Sequence, residues 1–231
     1  MLADVGRHDS ATIADDRRFF HAPDIVQYVD KVGKYDAVVI GSGNRANPLG
    51  FGGYADNFTY MIRDNNIKAG DGVNTELGNA DFGDVTNTCL QAGSECLADR
   101  TNGWKLGLTD SGEASLARPL TIGGVVYFTT YLPPGESNEA SCGPDEGSGR
   151  FYSVALGTAN AVRNYDTTTE ELERSDDLNS EGIPAAVFFL PGTEGIDDGT
   201  GQIYKPDNST EQVDFPSRMR TYWLESEDGE L

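Results

Sequence analysis

The hydrophobic positions of this chain occur in short runs rather than at helical spacing. The runs are rich in Val, Ile, Tyr, Phe and Thr, and most are bounded by Gly, Pro, Asn or Asp. Both features are typical of β-strands that end in turns. The pattern therefore indicates an all-β chain. The predicted strands are Tyr35–Gly41, Phe58–Arg63, Trp104–Leu108, Gly124–Tyr131, Phe151–Leu156, Ala185–Leu190, Gln202–Tyr204 and Arg220–Leu224.

The predicted strands group into three blade-like units, at about residues 19–67, 103–163 and 182–231. Within the second unit, "IGGVVYFTT" predicts a tight Gly-Gly hairpin. The spacing of the units is close to the roughly 40–50 residues of a propeller blade, with insertions. A closed propeller typically needs at least about four blades. The sequence thus predicts a partial, modified β-propeller of about three antiparallel blades with long loop insertions. In the middle of the polar stretch 164–181 it predicts one short helical turn.

A glycine motif in residues 36–50, "DAVVIGSGNRANPLG", resembles the dinucleotide-binding fingerprint. Gly41, Gly43 and Ala46 follow an apolar run in the pattern G-x-G-x-x-A. That fingerprint binds a pyrophosphate only where the strand turns directly into a helix. Here Pro48 and three further glycines disfavour a helix, because each glycine costs about 1 kcal/mol relative to alanine. We predict that Gly41 and Gly43 lie in a turn at a strand end and bind no dinucleotide.

Composition and charge narrow the class of partner. The chain has 231 residues, with 17 Lys and Arg against 38 Asp and Glu, which gives a formal net charge of −21. A surface this acidic repels phosphate backbones, which argues against nucleic acid as a partner. The longest apolar stretches, such as Ala185–Leu190, are too short for a membrane-spanning helix.

The first residues, "MLADVGRHDS", carry charges where a signal peptide needs an apolar region. Taken alone, this start indicates a cytoplasmic protein. However, "LADVGRHD" resembles the exit of a strand, and three units leave a propeller open. We therefore expect that Met1 is not the true start of the protein.

The sequence contains no recognisable motif for catalysis or metal binding. There is no G-x-S-x-G nucleophile motif, and His8 and His21 have no partners in a triad pattern. The acidic loop "DNNIKAGDGVNTE" fails as a calcium loop because Lys68 occupies a ligand position. We predict no catalytic, cofactor-binding or metal-ligating residue in this chain and no enzymatic activity.

Three cysteines lie in predicted loops. Cys89 and Cys96 bracket "LQAGSE", a spacing that suits a local disulfide and matches no zinc site. Such a disulfide implies an oxidising compartment. The open alternative is three free thiols, and Cys142 is expected to be unpaired or bonded outside this segment.

Several segments together resemble the PilY/PilC-type type IV pilus tip-associated adhesins. "YDAVVIGSGNRANPL", followed by "DNFTYMIRDN", is similar to a glycine loop and the strand after it in that family. "GWKLGLTDSGEASLARPLTIGGVVYFTTYLP" and "CGPDEGSGRFYSVAL" are similar to its next two signatures. The segments occur in the family's order over about residues 17–163, and "GIPAAVFFLPG" and "RTYWLESE" fit its C-terminal end.

The resemblance implies that residues 1–231 are the C-terminal portion of a PilC-type β-propeller domain, exported to the pilus tip or bacterial cell surface. It implies a non-enzymatic role in pilus biogenesis and surface adhesion, with pilins or minor pilins and a host or abiotic surface as partners. The family's D-x-D-x-D calcium motif is absent here, so calcium is expected only in a missing N-terminal part. The alternative is a secreted carbohydrate-binding or hydrolytic β-propeller that uses acidic loops.

Overall fold

The fold consists of short β-strands joined by loops. The computed structural model describes residues 2–6, 12–31, 33–66, 76–91, 98–134, 146–166, 168–191 and 200–214. Each predicted strand up to Tyr204 overlaps an observed strand, and Arg220–Leu224 lies outside the described residues. The strands are β1 (Ala3–Asp4), β2 (Asp24–Val29), β3 (Lys34–Gly41), β4 (Phe58–Asp64), β5 (Leu77–Gly78), β6 (Gly83–Asp84), β7 (Gly103–Gly107), β8 (Leu120–Ile122), β9 (Val125–Leu132), β10 (Ser148–Ala155), β11 (Ser175–Glu181), β12 (Phe188–Pro191), β13 (Thr200–Tyr204) and β14 (Thr210–Asp214).

The first sheet has five strands in the order β2-β3-β4-β7-β6. Its strands are antiparallel except for β6, which runs parallel to β7. Trp104 in β7 is the register partner of Met61 in β4. β7 therefore belongs to the first sheet, whereas the sequence groups this strand with the second unit, 103–163. The difference arises because a local strand signal does not identify the neighbouring strand.

The second sheet has the order β11-β10-β9-β8, and the third has the order β12-β13-β14. Gly123 and Gly124, with φ of +60° and +80°, form the predicted two-residue turn between β8 and β9. The helical turn predicted in the middle of residues 164–181 is wrong, because the described residues 168–174 contain no helix, Glu173 forms a bridge with Arg163, and β11 then pairs with β10. β11 is an edge strand whose side chains, apart from Leu178, are at least partly exposed, so it lacks an apolar signal.

The three larger sheets pack against one another through two clusters of buried side chains. Successive residues of a strand point to opposite faces of its sheet. From β9 and β10, Phe128 and Tyr152 stack with ring centroids 4.6 Å apart and pack with Trp104 of the first sheet. The neighbouring Tyr127 and Phe151 belong to the cluster that includes the third sheet. The second sheet is thus covered on both faces, as a blade between two other blades is.

Among the described residues, none of the sheets closes on itself. The arrangement confirms the predicted all-β class and the partial propeller. A further small pair, β1 and β5, is parallel, and its residues Ala3 and Leu77 pack in one hydrophobic cluster with Tyr60 and Ile62 of the first sheet. The described part of the chain contains no helix of the length and apolarity that a membrane crossing requires.

Candidate functional site

The glycine motif forms a loop at the end of β3. This strand ends at Gly41, and the chain reaches β4 at Phe58 through turns, with no helix in the fully described residues between them. We name residues 42–57 the glycine loop. The N–H of Ser42 donates to the carbonyl of Phe58 at 2.9 Å and closes the base of the loop. The predicted strand end without a following helix is confirmed, but Gly41 still pairs with Thr59 of β4 and the first turn begins at Asn44, so the predicted turn lies beyond the two glycines.

Gly41 and Gly43 allow the chain to lie directly against a second segment, residues 113–117. A Cβ atom on Gly43 would lie 2.8 Å from both a methyl carbon of Leu116 and the carbonyl oxygen of Ser115. A Cβ atom on Gly41 would lie 2.2 Å from the hydroxyl oxygen of Ser115. These glycines therefore serve the close approach of two stretches of this chain, which accounts for the motif without a phosphate.

Three hydrogen bonds join the glycine loop to the 113–117 segment, one of them from the Asn57 side chain to the carbonyl of Glu113. The N–H of Ser115 donates to the carbonyl of Ser42 at 2.9 Å. The guanidinium of Arg45 donates to the carbonyl of Leu116 at 2.6 Å. The structure thus brings together two motifs, "GSGNRANPL" and "DSGEASLARP", that are far apart in the sequence.

The tip of the glycine loop is held in one shape by Asn47 and Tyr54. The Asn47 side chain donates to the carbonyl of Phe51 and accepts from its N–H, each at 3.0 Å. The Tyr54 hydroxyl donates to the carbonyl of Leu49 at 3.0 Å. Gly50, with φ of +64°, passes so close to the Tyr54 ring that a Cβ would lie 2.1 Å from it. This bracing presents Phe51 to solvent, with 80% of the residue exposed.

A cavity of about 210 Å³ opens between the glycine loop and residues 13–18. We name it the glycine-loop cavity. Asp16, Arg18, Asn44 and Phe51 line it. The guanidinium of Arg18 donates to the carboxylate of Asp16 at 2.9 Å. This hydrogen bond and the charge of Asp16 raise the pKa of Arg18. The lining thus combines an ion pair, an amide and an aromatic ring.

The inner part of the cavity leads to a buried polar network. Asn57 lines the cavity and is buried. Its carboxamide accepts from the Ser42 hydroxyl at 3.1 Å and donates to the Glu113 carbonyl at 2.9 Å. The Ser42 oxygen in turn accepts from the N–H of Phe58 at 2.9 Å. The position of the cavity therefore depends on hydrogen bonds inside the fold.

Glu113 carries a carboxylate into the core against β9 and β10. It is 1% exposed, and its Oε1 accepts from the hydroxyls of Thr130 at 2.6 Å and Tyr152 at 2.8 Å. The Arg150 guanidinium lies 3.6 Å from its Oε2. Burial raises the pKa of Glu113, although these hydrogen bonds and Arg150 act in the opposite direction. Burial and the charge of Glu113 also raise the pKa of Tyr152.

Arg150 connects the buried carboxylate to the surface. It donates to Asp110 at 2.5 Å and to Asp177 at 3.0 Å. Burial opposes its positive charge, but these two hydrogen bonds together with its interaction with Tyr152 outweigh burial, so the pKa of Arg150 is raised. Its partners Asp110 and Asp177 are exposed, and exposed pairs contribute little to stability. The main effect of Arg150 is therefore to offset the buried negative charge of Glu113.

The carboxylate of Glu113 is not part of the lining of the glycine-loop cavity. Glu113 has a raised pKa, but its enclosure in the core keeps the carboxylate away from any ligand in the glycine-loop cavity. Within the described ranges, no group of three or more His, Cys, Asp or Glu side chains is placed to hold a metal ion. The absence of catalytic, cofactor and metal residues over the whole chain stays a prediction.

Cys89 is disulfide-bonded. The other two cysteines of the sequence, Cys96 and Cys142, lie outside the described residues, so the pairing of Cys89 with Cys96 stays a prediction. Arg174 holds the backbone that leads to Cys89, because its guanidinium donates to the carbonyls of residues 85, 86, 88 and 89 at 2.8–3.1 Å. Burial lowers the pKa of Arg174 to about 10, so the side chain remains charged at neutral pH.

Sequence reasoning assigned no role to Glu113, Arg150 or Arg174. The available signal was a charged residue beside an apolar run, as in "GRFYSVAL" for Arg150. That signal is weak because most charged residues face solvent. The pairing of β9 with β10 brings Thr130 and Arg150 to one register position, and this pairing is a tertiary feature.

The fold has a counterpart among solved structures. It is similar to the crystal structure of the Pseudomonas aeruginosa PilY1 C-terminal domain, with a TM-score of 0.63 and 13% sequence identity. The match covers 94% of this chain and 48% of that chain, so this chain spans about half of its length. No family model and no curated protein matches the sequence. The match confirms the PilY/PilC resemblance at the level of a β-propeller-like fold.

Proposed function

We propose that this chain is part of an exported type IV pilus-associated protein that acts in pilus assembly and surface adhesion without enzymatic activity. The observation that carries the proposal is the PilY1-like fold, which extends over 94% of the chain. The ordered segments in residues 17–163 add independent support, because they depend on residue identities and not on the fold. Pilins or minor pilins and a host or abiotic surface are the proposed partners.

The glycine loop supports a role in binding. Binding residues are often carried by loops that a rigid scaffold positions, and this loop is braced at its base by Ser42 and at its tip by Asn47. It exposes Phe51 beside a cavity with polar lining. The enclosed position of Glu113 supports a non-enzymatic role, because an acid or base must reach its substrate.

Removal of the coding sequence of this chain from its source organism tests the proposal. We expect fewer surface pili in negative-stain electron micrographs and weaker attachment to glass and to host cells. Re-expression of the full-length protein should restore both. Pilus number and attachment that remain unchanged after removal would contradict the proposal.

A parallel experiment addresses the hydrolytic alternative. The purified 231-residue chain is incubated with a panel of glycosidase and esterase substrates. We expect no turnover above the buffer control. Reproducible turnover that disappears on substitution of one exposed acidic residue, such as Asp177→Asn, would replace the proposed function with an enzymatic one.

A further inference from the structure

We infer that the glycine-loop cavity binds the ring of a neutral hexopyranose sugar. The inference deepens the proposed adhesive function and rests on it, because an adhesive module needs a ligand on the surface to which it attaches. A hexopyranose has apolar C–H faces and a rim of hydroxyl groups. A site for it requires an exposed apolar ring next to groups that both donate and accept hydrogen bonds.

Phe51 supplies the apolar ring. It is 80% exposed although it is a large aromatic residue, and it lies on the rim of the cavity. Ile13, another residue lining the cavity, is 55% exposed, and Leu49 in the same loop is 43% exposed. Phe51 and Ile13 thus place exposed apolar side chains at a polar depression, which is typical of a ligand-binding site. The C–H face of a sugar would cover the Phe51 ring and remove apolar surface from water.

Asn44, Asp16 and Arg18 supply the polar groups. The Oδ1 of Asn44 accepts from the N–H of Ala46 at 3.2 Å, and its amide nitrogen carries two further N–H donors. The Asp16–Arg18 ion pair lines the same cavity, and the Arg18 guanidinium carries more N–H donors than its hydrogen bond to Asp16 uses. These groups match hydroxyls, each of which can donate and accept.

Size and charge favour a single neutral ring. The cavity volume of about 210 Å³ is below the roughly 300–1,000 Å³ of pockets for drug-sized ligands. The opposite charges of Asp16 and Arg18 cancel in the cavity lining, and the chain carries a net charge of −21. The neutral ion pair leaves no net positive charge to attract an anion, and the negative charge of the whole chain repels anions. Acidic sugars are therefore disfavoured.

The loop is preorganised for binding. The two hydrogen bonds between Asn47 and Phe51 fix the backbone that carries the ring, and Tyr54 braces the same tip through Leu49. A ring on a fixed backbone loses little conformational entropy when a ligand covers it. The contact is confined to one sugar ring, so we expect millimolar affinity for a single site. Strong attachment of a cell to a surface would then arise from many pili that bind at the same time.

The test is a titration of the ¹⁵N-labelled 231-residue chain followed by amide chemical shifts. The probes are methyl α-D-mannopyranoside, methyl β-D-galactopyranoside and methyl β-D-glucopyranoside, with a methyl sialoside as the anionic comparison. We expect saturable shifts in the glycine loop with at least one neutral glycoside and none with the sialoside. Phe51→Ala should weaken binding about tenfold, the effect of one lost aromatic contact.

Phe188→Ala is the matched control, because Phe188 is a 53% exposed aromatic residue on β12, outside the cavity lining. It should change the dissociation constant by less than about twofold. Asn44→Ala should weaken binding while the amide spectrum outside the loop stays unchanged. The inference is overturned if no neutral glycoside gives saturable shifts, if the sialoside alone binds, or if Phe51→Ala binds as the unsubstituted chain does. If no sugar binds but removal of the coding sequence still reduces pilus number and attachment, the sugar site is overturned and the proposed function stands.

Discussion

Replacement of Glu113 tests whether a buried carboxylate organises the base of the glycine-loop cavity. Two substitutions separate the contribution of its hydrogen bonds to stability from the contribution of its charge. Glu113→Leu keeps similar bulk and leaves the hydroxyls of Thr130 and Tyr152 without their acceptor. Glu113→Gln keeps an oxygen that can accept both hydrogen bonds and removes the charge opposite Arg150.

The expected loss in the free energy of unfolding follows from these contacts. A buried donor that loses its acceptor costs about 1–3 kcal/mol, and two donors are affected in Glu113→Leu. Arg150 keeps Asp110 and Asp177 as partners, so the full cost of about 3–5 kcal/mol for breaking a buried ion pair does not apply. We expect a loss of about 3 kcal/mol for Glu113→Leu and of at most about 1 kcal/mol for Glu113→Gln.

The assay is urea unfolding at neutral pH, followed by the fluorescence of the buried Trp104. Denaturation midpoints at an unchanged slope give the differences in free energy of unfolding. Urea is preferred to guanidinium chloride because it leaves ion pairs unscreened. The reasoning is refuted if Glu113→Leu costs less than about 1 kcal/mol or if the two variants lose equal stability.

The pH dependence gives a second, independent check. Because the pKa of Glu113 is raised in the folded state, the associated stability is complete below the unfolded value of about 4.3 and is lost as the pH rises through the raised pKa. Glutamine does not titrate, and the other acids are shared by both chains. The stability of Glu113→Gln relative to the unsubstituted chain should therefore increase as the pH rises from about 4 towards 7. A difference that is independent of pH would show that Glu113 has an ordinary pKa.

Three further outcomes are expected. Gly43→Ala should lower the free energy of unfolding by about 1–3 kcal/mol, because the new methyl carbon would lie 2.8 Å from its neighbours, whereas Gly78→Ala, with its nearest atom at 3.6 Å, should change it little. Arg174→Met should speed reduction of the Cys89 disulfide, measured by thiol labelling during a dithiothreitol time course, because four carbonyl contacts near Cys89 are lost. Mass mapping of non-reduced peptides should find Cys89 linked to Cys96, and a different linkage would contradict the sequence-based pairing.

Some features of the fold could be predicted because they depend on neighbouring residues. The β-branched and aromatic content of the short runs "YDAVVIG" and "VVYFTTYL" favours a pleated backbone wherever those runs lie. Pro48 and the glycines after Gly43 disfavour a helix by their own backbone preferences, so the turn after β3 follows from local chemistry. The order of the family-like segments was likewise readable, because it is a property of the chain.

Other features could not be read from neighbouring residues. β11, "SDDLNSE", has a single buried apolar side chain, Leu178. It forms a strand because its backbone pairs with the edge of β10. β7 pairs with β4 instead of with the strands that follow it in the chain. Backbone hydrogen bonds form between whichever strands the fold brings together, and residue types select those neighbours only weakly.

The candidate site divides in the same way. The sequence by itself determined that no helix follows the strand before "GSGNRANPL", since Pro48 and the glycines after it disfavour a helix by their own backbone preferences. The tertiary structure alone decided that Gly43 packs on Leu116, that Glu113 is buried beside Arg150, and that Phe51 borders a cavity. These contacts join positions tens of residues apart. Their energies depend on distance and burial in three dimensions, which the order of residues does not specify.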